Sequence, residues 1–190
     1  MTRLRKLALA LAATVIVGAT AAAAEEIDDL VELCTTCHGE DGRPIEPDYP
    51  IIWGQEFYYL YVQLKDYQAG RRENEIMQGI VADLTKEQMQ ALSQHFAERE
   101  WPRIGFGASE VDIAQGETAT GAGQCTQCHL GGYDGDSRIP RLAGQNPAYL
   151  ERTMLEFKGR IRMNAPDKGA LFRAYEDDDI RAMANLLAGL

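Results

Sequence analysis

Two five-residue strings carry the chemistry of this chain: Cys34-Thr35-Thr36-Cys37-His38 and Cys125-Thr126-Gln127-Cys128-His129. Together they use all four cysteines and two of the three histidines. Two residues between thiols on a helical turn bring both sulfurs to one edge of a bound macrocycle. There they add across vinyl groups as thioethers, and the adjacent imidazole turns under the iron. Cys-x-x-Cys-His is the attachment signal of a c-type haem. A thioredoxin-type pair needs no histidine and sits near a βαβ pattern, which is missing. A zinc site needs its pairs together, whereas these lie 91 residues apart in matching segments. Two disulfides are the ordinary expectation for an exported chain with four cysteines, and the histidine after each pair argues against them.

The elements that position these strings come in two copies. Tyr49-Pro50-Ile51-Ile52-Trp53-Gly54-Gln55 matches Ile139-Pro140-Arg141-Leu142-Ala143-Gly144-Gln145 at an offset of 90. Tyr59-Leu60 pairs with Tyr149-Leu150, and Leu84 to Ala97 tracks Tyr175 to Ala188. Each copy reads as helical. Phe57, Leu60, Tyr61, Leu64 and Tyr67 recur at helical spacing, as do Leu150, Met154 and Phe157 after Asn146 as N-cap and Pro147 at the first helical position. Thr85-Lys86-Glu87-Gln88 is a capping box opening a helix that buries Met89, Leu92 and Phe96. Ile180, Met183 and Leu187 repeat that stripe. Short helices are expected before each cysteine pair, over 27–33 and over 111–122, the latter opened by Ser109. No strand run appears, so the fold class is all-α, and modules this small need a cofactor to complete their cores.

Residues 1–24 have a basic start at Arg3, Arg5 and Lys6, an apolar run, and a small-residue boundary at Ala22-Ala23-Ala24, the layout of a cleaved secretory signal. The expected organisation is therefore 1–24 signal peptide, 25–99 first module, 100–108 linker marked by Pro102, Gly105 and Gly107, and 109–190 second module. Cleavage would remove three positive charges and no negative ones, taking the formal net charge from −10 to −13. So acidic a chain avoids nucleic acid. With the signal removed it is not expected to be an integral membrane protein.

The two attachment strings, the Pro-x-x-x-Gly-Gln strings and the closing helices resemble a dihaem cytochrome c of the cytochrome c4 type, over essentially the whole mature chain. The chain is also similar to the dihaem subunit of flavocytochrome c sulfide dehydrogenase. The resemblance implies two tandem class I cytochrome c domains, each wrapped round one covalent haem c, related by a pseudo-twofold in a bacterial periplasm. It implies haem attachment at Cys34, Cys37, Cys125 and Cys128, proximal iron ligands His38 and His129, and Pro50 and Pro140 carbonyls turned toward those histidines. Function is then electron transfer between redox proteins such as an oxidase, reductase or flavoprotein. The alternative is the haem subunit of a flavin-dependent sulfide or other sulfur-compound oxidoreductase. An enzyme is not expected, because haem ligation leaves no cysteine and at most one histidine for acid–base or nucleophilic work.

The sixth iron ligands are the least regular part of the repeat. With three histidines, bis-histidine ligation does not serve both irons. Met89, Met154 and Met183 fall on apolar stripes and read as core, and His95 reads as a surface or interface residue. Met77, placed in a loop between helices, matches the family's ligand position and is assigned to the first iron. In the second copy the same alignment brings Lys168, while the loop methionine, Met163, stands five residues earlier. Met163 is preferred as the second sixth ligand, with Lys168 as its alternative.

Overall fold

The computed structural model describes residues 27–190, so the signal segment lies outside the described residues. Within them the chain is helical, without strands; its one β-type pairing is an isolated bridge between Asp136 and Ile139. Helix α1 occupies 27–38 and carries the first attachment string in its last turns. There follow α2 (Phe57–Gln68), α3 (Glu75–Val81), α4 (Lys86–Ala97), α5 (Glu110–Ala122), α6 (Thr126–His129), α7 (Pro147–Lys158), α8 (Pro166–Phe172) and α9 (Asp177–Ala188). Helix α2 packs on α3 and α4; α5 packs on α9, and α7 on α8 and α9. No helix among the described residues is long and apolar enough to cross a membrane.

Local chemistry explains most of these boundaries. The capping box expected at Thr85 forms: its hydroxyl accepts from Gln88 N, and Gln88 Oε1 accepts from Thr85 N. Glu176 and Asp179 make the equivalent box at α9, and Ser109 caps α5. Asn146 stands at the N-cap of α7, but its side chain does not cap. Its Nδ2 instead donates across to Tyr49 O in the other half. Met89, Leu92 and Phe96 are buried on α4, as are Ile180, Met183 and Leu187 on α9. The α2 stripe is different. Leu60 and Leu64 face a cavity, while Gln63, Asp66 and Tyr67 are the buried residues.

Two helices replace what the sequence suggests are loops. Met77 sits in α3 and Lys168 in α8, each helix seven residues long. So short a segment has no apolar period to read, and its stability comes from packing.

The halves meet through reciprocal contacts between repeat-related residues. Gln145 Nε2 donates to Ile51 O at 2.9 Å and its Oε1 accepts from Ile51 N at 2.8 Å. Gln55 does the same to Arg141, at 3.0 and 2.8 Å. Gly54 N donates to Phe96 O and Gly144 N to Leu187 O, each glycine docking on the closing helix of its own half. Trp101 wedges against both glycines: a Cβ on Gly54 would lie 2.8 Å from Trp101 N, and one on Gly144 would lie 3.0 Å from Trp101 Nε1. The Arg141 guanidinium stacks 4.8 Å from the Trp101 ring.

Candidate haem sites

The first attachment string finishes α1. The second is set on its own short turn, α6, after a break at Gln124, whose φ is 52°. None of the four cysteines, all within the described residues, forms a disulfide. Burial pushes the Cys34 thiol up to about 11 and raises Cys125 as well, so neither has the stabilised thiolate of a redox-exchange pair.

In both strings the histidine is held by a proline carbonyl: His38 Nδ1 lies 2.8 Å from Pro50 O, and His129 Nδ1 lies 2.9 Å from Pro140 O. A carbonyl only accepts, so Nδ1 carries the hydrogen and the Nε2 lone pair is left for a metal. Burial lowers the pKa of both rings, against the opposing proline bonds. Both imidazoles are therefore neutral, as a ligand must be.

His38 and His129 line one continuous cavity of about 900 Å³ between the halves, with Cys34, Cys37, Cys128 and Met77 also on its wall. Cys125 packs beside it against the second half's core. Lys168 lines the cavity, whereas Met163 lies outside its lining and is 51% exposed. His95 is also outside the lining and accepts from Arg99 at 2.9 Å.

Between the two histidine sites lies a cluster that sequence reasoning missed. Arg72 and Arg162 are each only 6% exposed. Arg72 Nη2 donates to Tyr149 OH at 3.0 Å, and Arg162 Nη2 reaches toward Tyr59 OH at 3.4 Å, so each arginine addresses the tyrosine of the opposite half. Both arginines and Asn164 also donate to the single oxygen Gln63 Oε1. One carbonyl has two lone pairs, so donors outnumber acceptors here. Burial by itself would raise the Tyr149 hydroxyl, but the two guanidiniums outweigh it and pull it down to about 7. The buried carboxylate nearby, Asp66, is already engaged by Arg71 and Asn164. The offset of 90 between Arg72 and Arg162, and between Tyr59 and Tyr149, was a sequence signal for this cluster.

These residues fit a haem on their own chemistry. Paired thiols and an oriented neutral imidazole sit at each end, Leu60, Val62 and Leu64 supply apolar wall, and an uncompensated cationic cluster faces the cavity where carboxylates would be matched. Thr153 Oγ1, buried on the same wall, has no partner.

The residue after each histidine adopts positive φ: Gly39 at 87° and Leu130 at 66°. With ψ at 170°, Leu130 occupies a region that is essentially glycine's. Strain there is about 1–3 kcal/mol, against roughly 0.5–1 kcal/mol of extra chain entropy that a glycine loses. Leu130 is 46% exposed, so little burial is lost. Leu130→Gly should stabilise the holoprotein by about 1 kcal/mol; a lower denaturation midpoint would contradict the strain.

No family model matches the chain. It is 32% identical over 172 residues to cytochrome c4 of Thiocapsa roseopersicina, spanning 83% of this chain and 87% of the relative. It is 31% identical over 175 residues to the thiosulfate dehydrogenase electron acceptor of Stutzerimonas stutzeri, spanning 83% and 78%. The crystal structure of reduced cytochrome c4 from Pseudomonas stutzeri superposes with a TM-score of 0.79 at 27% identity, covering 87% of this chain and 97% of that one. The fold, the duplicated attachment strings and these relatives agree: the chain belongs to the cytochrome c4 family of dihaem electron-transfer cytochromes.

Proposed function

We propose that this chain relays electrons in the periplasm through two haems held on either side of the reciprocal interface, in units spanning 25–99 and 109–190 joined by 100–108. In this reading Cys34 and Cys37 attach the first haem and Cys125 and Cys128 the second. His38 and His129 are the proximal ligands, and Met77 is the sixth ligand of the first iron. Bound haem supplies the reversible one-electron couple. The protein's part is to orient both imidazoles through the Pro50 and Pro140 carbonyls, to exclude water with the apolar wall, and to balance charge with Arg72 and Arg162. The observation carrying this reading is the single cavity that both attachment strings line. The redox partners are an oxidase, a reductase or a flavoprotein.

A second reading has a specific support. One relative at 31% identity is named as the electron acceptor of a thiosulfate dehydrogenase. By that likeness the chain drains electrons from a sulfur-compound oxidoreductase.

Intact-mass spectrometry of the periplasmically expressed protein tests the common core of both readings. The expected species is the 166-residue chain from Glu25 plus two haems. A single haem, or none with two disulfides, would overturn the attachment assignments. Reduction by a thiosulfate-oxidising partner, compared with other donors, separates the second reading from the first.

A further inference from the structure

We propose that Lys168, through Nζ, is the sixth ligand of the second iron, where the first half uses Met77. The proposal rests on the reading above that Cys125, Cys128 and His129 hold the second haem. Three observations support it.

The first is register. Asn74 caps α3, and Met77 is its third residue. Ala165 occupies the N-cap position of α8 without a side-chain cap, and Lys168 is the third residue of that helix. From Arg71 to Met77 and from Ile161 to Lys168 the burial pattern matches residue for residue, with one inserted position at Ala165. Met77 and Lys168 therefore enter the cavity from the same place on equivalent helices, and both line it.

The second is what holds Met163 away. Arg162 is buried in the polar cluster, and Asn164 donates from Nδ2 to Gln63 and Asp66. Both neighbours of Met163 are thus held inward by contacts to α2, and Met163 itself is left on the outside, half exposed. Its counterpart at an offset of 90 is Glu73, which is also exposed. Bringing Met163 to the iron would require breaking the anchors on both sides of it.

The third is rigidity of the helix that carries Lys168. A Cβ on Gly169 would lie 2.9 Å from Phe157 O, so α8 sits directly on the α7 backbone. The Phe157 and Phe172 rings stack at 6.2 Å and secure its other end. The Lys168 side chain is 28% exposed, and its ion pair with the mostly exposed Asp167 is loose at 3.8 Å, a contact worth little in solvent.

On coordination the ammonium releases its proton to solvent and the amine lone pair forms the bond to iron; no electron is transferred. A hard amine favours ferric iron and a thioether ferrous iron. The second haem is therefore the lower-potential one, and electrons reside on the first.

The test uses the ferric holoprotein, counted at two haems by mass, with near-infrared magnetic circular dichroism and a potentiometric titration. The wild type should show one methionine-type and one amine-type haem. Lys168→Met should convert the amine signature to a second methionine signature and raise the lower potential, while Met163→Ala should leave both spectra unchanged. Two methionine-type haems in the wild type, with the second lost in Met163→Ala, would overturn the proposal. So would a second-haem spectrum unmoved by Lys168→Met. A chain carrying fewer than two haems would instead overturn the attachment reading beneath it.

Discussion

Gln145→Ala should destabilise the holoprotein by about 2–4 kcal/mol, and Gln55→Ala by distinctly less, although the two residues occupy the same place in the repeat. Gln145 satisfies both backbone groups of Ile51, a residue that is 0% exposed. Removing the amide leaves a buried N–H and a buried C=O without partners, each costing about 1–3 kcal/mol. Gln55 serves Arg141 in the same way, but Arg141 is only half-buried, so water can replace the lost bonds in part. Urea unfolding of the two variants measures the difference. Equal losses, or a Gln145→Ala loss below about 1 kcal/mol, would show that the interface does not depend on this pair.

Two glycines of α5 should respond to the same substitution with opposite sign. A Cβ at Gly116 would lie 2.7 Å from Ala182 O and 2.8 Å from Leu186 Cβ, because α5 and α9 cross at this point. Overpacking against backbone runs to about 3 kcal/mol, offset by roughly 1 kcal/mol of helix propensity gained over glycine. Gly116→Ala should therefore lose about 2 kcal/mol net. Gly121 is exposed and nothing lies within 4 Å of its Cβ position, so Gly121→Ala should gain up to about 1 kcal/mol. Because the halves can unfold separately, the second-half transition is the one to follow, by the absorbance of its haem. Stabilisation by both substitutions would mean that the α5–α9 crossing yields easily.

The features legible in the sequence are those whose physics is local or repeated. Cys34-Thr35-Thr36-Cys37-His38 specifies its chemistry within five residues. Thr85 and Gln88 cap a helix through contacts three residues apart. Met89, Leu92 and Phe96 lie on one face because a helix turns every 3.6 residues. The repeat offset pairs Pro50 with Pro140, whose carbonyls do orient the two histidines. The short helices α3 and α8 were not legible, since neither has a hydrophobic period. The α2 stripe misled for a related reason: its leucines face the cavity, and its polar Gln63 and Asp66 face the other half.

The sequence by itself thus determined two Cys-x-x-Cys-His strings, an all-helical duplicated chain and the pairing of equivalent positions. Only the tertiary structure decided which partners those positions meet. Gln145 reaches Ile51 across 94 residues, and Arg72 reaches Tyr149 across 77. Nothing in either local segment encodes such contacts. The same holds for Lys168 and Met163. Both lie in one polar stretch, and their distance along the chain does not say which side chain faces inward. That was decided by Arg162 and Asn164, which anchor to residues of α2 about a hundred positions away, and by Gly169, which seats α8 on α7.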